Sequence, residues 1–167
     1  MHVKEIDLDR LYEVDPTVRA YMAGFFDGEG HVTIARRGNI KTTRNDSTPR
    51  RLVYALVAGV AQNVKAPVLL FHELFGGTFR IDTRKRQHKF GVHVTYEWSI
   101  NGNLQVPVFL RWLRPYLRVK LSQADIAIDF ANSSPNTMTE EVFDLFKERM
   151  LQARTNEAAL EYMEKKA

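Results

Sequence analysis

Two carboxylates, Asp27 and Glu29, stand among glycines at the end of an otherwise apolar run, Ala20-Tyr21-Met22-Ala23-Gly24-Phe25-Phe26-Asp27-Gly28-Glu29-Gly30, and the run occurs once in the chain. Asp15-Pro16 upstream marks a helix start, because Asp caps orphan N–H groups and Pro suits the first helical position. The spacing predicts a helix over residues 16–26. Gly28 and Gly30 are expected to end it in the left-handed conformation that glycine readily adopts. Acids there face the negative end of the helix dipole, an unfavourable place that points to a bound cation. A glycine-rich helix end with acids also serves as a plain stop signal, and the residues alone leave both readings open.

Ala20, Gly24 and Gly28 recur every four residues and share one helix face, flanked by Ala23 and Asp27. Gly inside a helix costs about 1 kcal/mol relative to Ala, so Gly24 implies close approach by another helix. Tight packing within the chain is the alternative. Phe25 and Phe26 are left to pack inward. Arg19, Asp27 and Glu29 interrupt the run, so it is no membrane span.

The elements that must position these acids follow from periodicity. Residues 1–14 are an N-terminal extension with Ile6, Leu8, Leu11 and Val14 as docking residues. Residues 31–37 read as a strand, with Val32 and Ile34 inward and His31, Thr33, Ala35 and Arg37 outward. Residues 38–50 are polar and basic and form a hairpin loop. Residues 52–62 are a second strand, apolar at nearly every position, so its facing is open. Residues 65–75 are helical, ended by Gly76-Gly77. Residues 78–86 and 90–100 form a second hairpin. Phe79 and Ile81 oppose Arg80, Asp82 and Arg84, and Val92, Val94, Tyr96, Trp98 and Ile100 oppose His93, Thr95 and Glu97. Helices over 104–113 and 121–131 flank Arg114-Pro115, and a further helix or pair spans 139–165. The order helix, two strands, helix, two strands, helices gives an α+β layer, with helices on one face of a four-stranded antiparallel sheet. One domain over residues 1–167 is expected, with 136–167 as added C-terminal helices.

Charge is distributed unevenly within a net +4. Arg36, Arg37, Lys41, Arg44, Arg50 and Arg51 cluster around Asp46 alone. Arg80, Arg84, Lys85, Arg86 and Lys89 cluster around Asp82, and Arg111, Arg114, Arg118 and Lys120 have no acid among them. Acids gather at the margins, in Glu5, Asp7 and Asp9 and again in Glu140, Glu141 and Asp144. A basic middle implies a polyanion on one face, although charged hairpin turns give a similar pattern. The absence of cysteine excludes disulfides, thiolate metal sites and cysteine nucleophiles. Early acids and no long apolar run argue against a secretory or mitochondrial presequence. A cytoplasmic, nucleoid-associated location is expected, or an organellar matrix if the gene is organellar.

Met22-Ala23-Gly24-Phe25-Phe26-Asp27-Gly28-Glu29-Gly30 resembles the LAGLIDADG signature of homing endonucleases, with Met22 for the leading Leu and Glu29 for the second Asp. The resemblance extends over about residues 16 to 130 and implies the αββαββα core, whose saddle of strands binds double-stranded DNA. It implies a homodimer of the single-motif type, with Ala20, Ala23, Gly24 and Asp27 at the interface. Glu29 and the backbone carbonyl of Gly28 then hold Mg²⁺, a site that Mn²⁺ or Ca²⁺ also suits. Gln62 matches the family's solvent-ordering position near the cleavage centre. Lys120, in Leu113-Arg114-Pro115-Tyr116-Leu117-Arg118-Val119-Lys120, matches the lysine near the scissile phosphate, and Lys65 is the candidate second basic pocket residue. Across the saddle, Thr33, Arg37, Asn39, Lys41, Arg51, Arg80, Asp82, Arg84, His93, Thr95 and Glu97 are the DNA-contact candidates, long polar side chains able to reach base edges or phosphates.

The implied activity is metal-dependent, site-specific cleavage of both DNA strands at a long pseudo-palindromic target, in an intron or intein setting. A non-cleaving DNA-binding regulator and an RNA intron maturase are alternatives on the same fold. No membrane partner or small-molecule substrate is expected, since the chain has no glycine-rich phosphate loop, nucleophile elbow or metal-spaced histidine pair.

Overall fold

The computed structural model describes residue 6 and residues 8–38, 52–83, 94–133 and 138–164. Its elements run α1 (Leu8–Tyr12), α2 (Pro16–Glu29), β1 (Gly30–Gly38), β2 (Leu52–Gln62), α3 (Lys65–Phe75), β3 (Thr78–Asp82), β4 (Thr95–Asn101), α4 (Gln105–Leu113), α5 (Leu121–Asn132) and α6 (Glu140–Glu164). A 3₁₀ turn, Arg114–Tyr116, follows α4 where Pro115 cannot continue the α-helical ladder. The strands form one antiparallel sheet in the order β1-β2-β4-β3, so the α+β expectation holds.

Strand alternation sorts the sheet into two faces. Val32 and Ile34, then Tyr54, Leu56, Ala58 and Val60, then Trp98 and Ile100 are buried under the helices. The core there is aromatic: Phe109 meets Phe26 edge-on at 5.1 Å and Phe75 at 4.8 Å, and Trp98 lies 5.1 Å from Phe71 and 5.2 Å from Phe109. Such offset and edge contacts add to the area term of burial. The Trp98 indole N–H donates to the Gly76 carbonyl at 2.7 Å. That bond fastens the α3–β3 turn, where Gly76 and Gly77 take φ of 65° and 76°.

The C-terminal α6 is one continuous helix. Phe143 stacks on Tyr54 at 4.1 Å, Phe146 meets Phe130 at 5.5 Å, and Arg36 pairs with Glu140 at 2.6 Å. At the other end of the chain, α1 seats Leu11 in the core, where the Trp112 indole donates to the Leu11 carbonyl. Leu8, read from the sequence as a docking residue, is instead half exposed.

The end of α2 differs from expectation. The helix runs through Gly28 to Glu29, and Gly30 takes an extended φ of −81°. Gly30 is required by space: a Cβ there would stand 2.4 Å from Phe26 Cδ2 and 2.5 Å from the Phe26 carbonyl oxygen.

Candidate functional site

Glu29 is the last residue of α2. It is exposed, and its carboxylate makes no hydrogen bond or ion pair among the described residues. Asp27, two residues earlier and so nearly on the opposite side of the helix, is half-buried and turned into its own chain. Its carboxylate accepts the backbone N–H of Arg118 at 2.7 Å and that of Lys120 at 2.8 Å. The Lys120 ammonium donates to the Asp27 carbonyl, and the next carbonyl back, on Phe26, accepts from Gly30. Lys120 is also the N-cap residue of α5. The segment leading into α5 is thereby fastened to the C-terminal end of α2, where a cation is favoured by the exposed carbonyls.

Sheet register brings a third element to this end. Gly30 pairs with Val60, so Gln62, two residues on, ends β2 beside the terminus of α2. The Gln62 side-chain oxygen accepts the Asn63 N–H at 2.7 Å. Lys65 opens α3 three residues later. It is exposed and without a hydrogen bond or ion pair among the described residues. The structure thus gathers Gly28, Glu29, Lys120 and Gln62 at one corner.

The interface expectation divides. An added Cβ at Gly24 or at Gly28 would meet nothing within 4 Å, and Tyr21 on the same side is 53% exposed. Among the described residues nothing packs against this face at Gly24 or Gly28, so there Gly24 does not serve internal packing. Ala20 is half-buried. Ala23 corrects the sequence reading: it is 0% exposed, packed with Met22 and Phe26 in the chain's own core, and has no surface to offer a second subunit. Asp27 likewise spends its carboxylate inside its own chain.

The sheet face away from the helices carries Thr33 on β1, Arg80 and Asp82 on β3, and Thr95 and Glu97 on β4. Arg80 stands opposite Glu97 and Asp82 opposite Thr95. The Arg80 guanidinium is exposed and forms no ion pair among the described residues. Arg37 lies in β1, but its side chain is outside the described residues, as are Asn39, Lys41, Arg51, Arg84 and His93 altogether. The expected polar and basic face is corrected at its centre. β2, whose facing was open, presents Ala55, Val57, Gly59 and Ala61 outward, none with a polar side chain.

One residue that the sequence placed outward was not among its DNA-contact candidates. His31 pairs with Gly59 across β1 and β2, and a Cβ built on Gly59 would stand 2.8 Å from its Cε1 and 3.3 Å from its Nε2. Partial burial of the ring against the sheet lowers the His31 pKa first of all, the Arg154 and Lys120 charges lower it further, and Glu97 opposes them. Arg154 reaches back from α6 to donate to the Val32 carbonyl. A strand glycine is the signal that could have found this pairing, since a neighbouring side chain must fill the space it leaves.

The fold is that of the LAGLIDADG homing endonucleases. The chain matches the homing endonuclease I-CvuI, solved in complex with the I-CreI target, at a TM-score of 0.59 and 21% identity, over 82% of each chain. It matches the archaeal intron-encoded homing endonuclease I-Vdi141I, complexed with DNA, at a TM-score of 0.50 and 18% identity, over 86% of this chain and 83% of that one. Against I-LtrWI, a LAGLIDADG homing endonuclease bound to target DNA, the TM-score is 0.51 and the identity 14%, over 85% of this chain but 43% of that chain. No family model and no curated protein matches the sequence.

Proposed function

We propose that this chain is a homodimeric, divalent-metal-dependent endonuclease that cuts both strands of a long, pseudo-palindromic DNA site. The observation that carries this reading is the pairing of an exposed, unengaged Glu29 carboxylate with an α2 face left open at Gly24 and Gly28. Two copies meeting through that face bring two Glu29 carboxylates close to one axis.

The residues fit Mg²⁺. That ion takes one or two carboxylates and completes its shell with water and phosphate oxygens, and Glu29 with its symmetry mate supplies the carboxylates, with the Gly28 carbonyl beside them. When bound, the metal supplies charge neutralisation on the phosphodiester and a more acidic water. The chain's own residues do the rest. Lys120, fixed by Asp27, sets an ammonium beside the reacting phosphate, where it stabilises negative charge that grows in the transition state. Gln62 orients solvent through its amide, and Lys65 contributes a second, more distant positive charge. Arg80 and the polar residues Thr33, Asp82, Thr95 and Glu97 face the DNA across the saddle. No described helix is long and apolar enough to cross a membrane.

The test is incubation of the full chain with a library of plasmids bearing randomised inserts, with and without Mg²⁺, followed by sequencing of linearised ends. Metal-dependent linearisation at one recurring site is expected, and Glu29→Gln should abolish cutting while retaining salt-sensitive DNA binding. Full cleavage by Glu29→Gln would remove Glu29 from the metal site. Binding without cutting by the wild-type chain would make it a regulator.

A further inference from the structure

We propose that His31 is a specificity-determining residue that reads a base edge close to the centre of the DNA target, in place of the side chain that Gly59 lacks. The inference rests on the reading of the chain as a DNA endonuclease that binds through its sheet.

Direct readout needs donors and acceptors within reach of base edges. β2 occupies an inner position of the sheet, yet Ala55, Val57, Gly59 and Ala61 give its outward face no hydrogen-bonding side chain. Bases above this strand can be read only by side chains that lean across from β1 or β4. His31 does so. Its ring fills the volume a Gly59 Cβ would occupy, so the imidazole lies over β2 and does not simply project from β1. A Cβ at that position would also stand 2.6 Å from the Trp98 carbonyl oxygen, so the strand has no room for a side chain of its own there. His31 is exposed, and neither ring nitrogen makes a hydrogen bond among the described residues. A neutral imidazole carries one donor and one acceptor, enough to engage a purine edge in the major groove.

The neighbours set its place in the target. His31 follows Glu29 by two residues, so in a dimer the two His31 side chains flank the cleavage centre symmetrically. Lys120 and Arg154 lie near enough to act on the ring by their charge, and Glu97 faces it from β4. The two cations attract and orient the sugar-phosphate backbone without reading sequence, so at this spot sequence is read by the His31 ring and by Glu97 beside it.

The experiment is equilibrium selection from a randomised duplex DNA library by the full-length wild type, His31→Ala, His31→Asn and Gly59→Ala, with sequencing of the bound fraction. For His31→Ala the expected result is a loss of about tenfold discrimination at one symmetric pair of positions flanking the centre, with the rest of the profile unchanged. His31→Asn keeps a donor and an acceptor and should retain a preference at that pair, altered in base identity. Gly59→Ala sets a methyl group against both the Trp98 carbonyl oxygen and the His31 ring, and at temperatures below its Tm it should perturb the same pair. An unchanged profile in His31→Ala, or a uniform loss of affinity with the profile intact, would overturn the assignment and leave His31 a packing or phosphate-facing residue. If the wild type itself enriches no site, the endonuclease reading fails and this assignment fails with it. That outcome is distinct from the others, in which the wild type does enrich one.

Discussion

Asp27 holds Lys120 at both ends of the lysine: its carboxylate accepts the Lys120 backbone N–H at 2.8 Å, and its own carbonyl accepts the Lys120 ammonium. The two residues are 93 positions apart in the chain. This tie makes the lysine's location a property of the α2 terminus, so that one helix end carries Glu29 directly and Lys120 by attachment.

Asp27→Ala removes the acceptor for both Arg118 and Lys120 N–H groups. Hydrogen bonds to a charged carboxylate contribute about 1.5–3 kcal/mol each, and part is recovered by water at a half-buried site, so a loss of about 2 kcal/mol is expected in thermal unfolding. The larger effect is expected on catalysis. Single-turnover cleavage should fall at least tenfold while DNA affinity changes little, because the lysine is displaced and Glu29 is intact. Asp27→Asn keeps one acceptor and should fall between. Wild-type cleavage by a destabilised Asp27→Ala would reduce Asp27 to a structural brace.

The glycines of the α2 region separate into two kinds by what a methyl group would meet. Gly30→Ala collides with Phe26 and should cost about 2 kcal/mol by overpacking, visible as a lower Tm at every protein concentration. Gly24→Ala and Gly28→Ala meet nothing within 4 Å among the described residues and replace glycine by the best helix former, worth about 1 kcal/mol to the isolated subunit. Their expected defect is in association. Native mass spectrometry should show protomers where the wild type shows dimers, and cleavage should disappear with the dimer. Wild-type dimerisation by Gly24→Ala would mean that the subunits meet elsewhere.

The bounds of β2 and α3 were legible because an apolar run closed by Asn63, and a helical run closed by paired glycines, leave few other choices. The facing of β2 was not. A strand apolar on both sides carries no alternation, and only its pairing with β1, whose Val32 and Ile34 are unambiguous, fixes which side is outward. Spacing put Ala20, Gly24 and Gly28 on one face, but it could not say whether the flank at Ala23 turned toward a partner or the core. Packing of Met22 and Phe26 decides that. The end of α2 was misplaced because glycine reads as a stop, whereas Gly28 continues the helix and Gly30 exists to clear the Phe26 ring. Glu29 was legible from the motif alone. The tie between Asp27 and Lys120 was not, since no local pattern encodes a contact between such distant segments.

Phe143 tests whether α6 belongs to the folding unit. Its ring stacks on Tyr54 at 4.1 Å and is 3% exposed. Truncating a buried aromatic costs about 3–5 kcal/mol through lost transfer energy and the cavity left behind, so Phe143→Ala should lower Tm by many degrees. Chemical denaturation should show a reduced midpoint with an unchanged slope. A change under about 0.5 kcal/mol, within the range of an ordinary surface substitution, would mean that α6 docks without supporting the sheet.

Asp15 sets the acid-side behaviour of the helix that carries the site. As N-cap of α2 its carboxylate accepts the Thr17 backbone N–H at 2.7 Å, and hydrogen bonding from Thr17 holds its pKa below the usual 3.8. Because the folded value is the lower one, the unfolded chain binds this proton more readily. The cap's contribution is therefore complete above the usual carboxylate value and drains away as pH falls through the folded value. Asp15→Ala lacks the acceptor at every pH. The Tm gap between wild type and Asp15→Ala should accordingly be widest near neutral pH and should narrow as pH falls below the usual carboxylate value of 3.8, as the wild-type carboxylate takes up its proton. A gap that stays constant over that fall would mean that the charge on Asp15 contributes nothing to the start of α2. Loosening this end of α2 should also leave the Glu29 end in place, since Asp27, Lys120 and Arg118 fasten that terminus separately. Cleavage by Asp15→Ala below its Tm should therefore match the wild type.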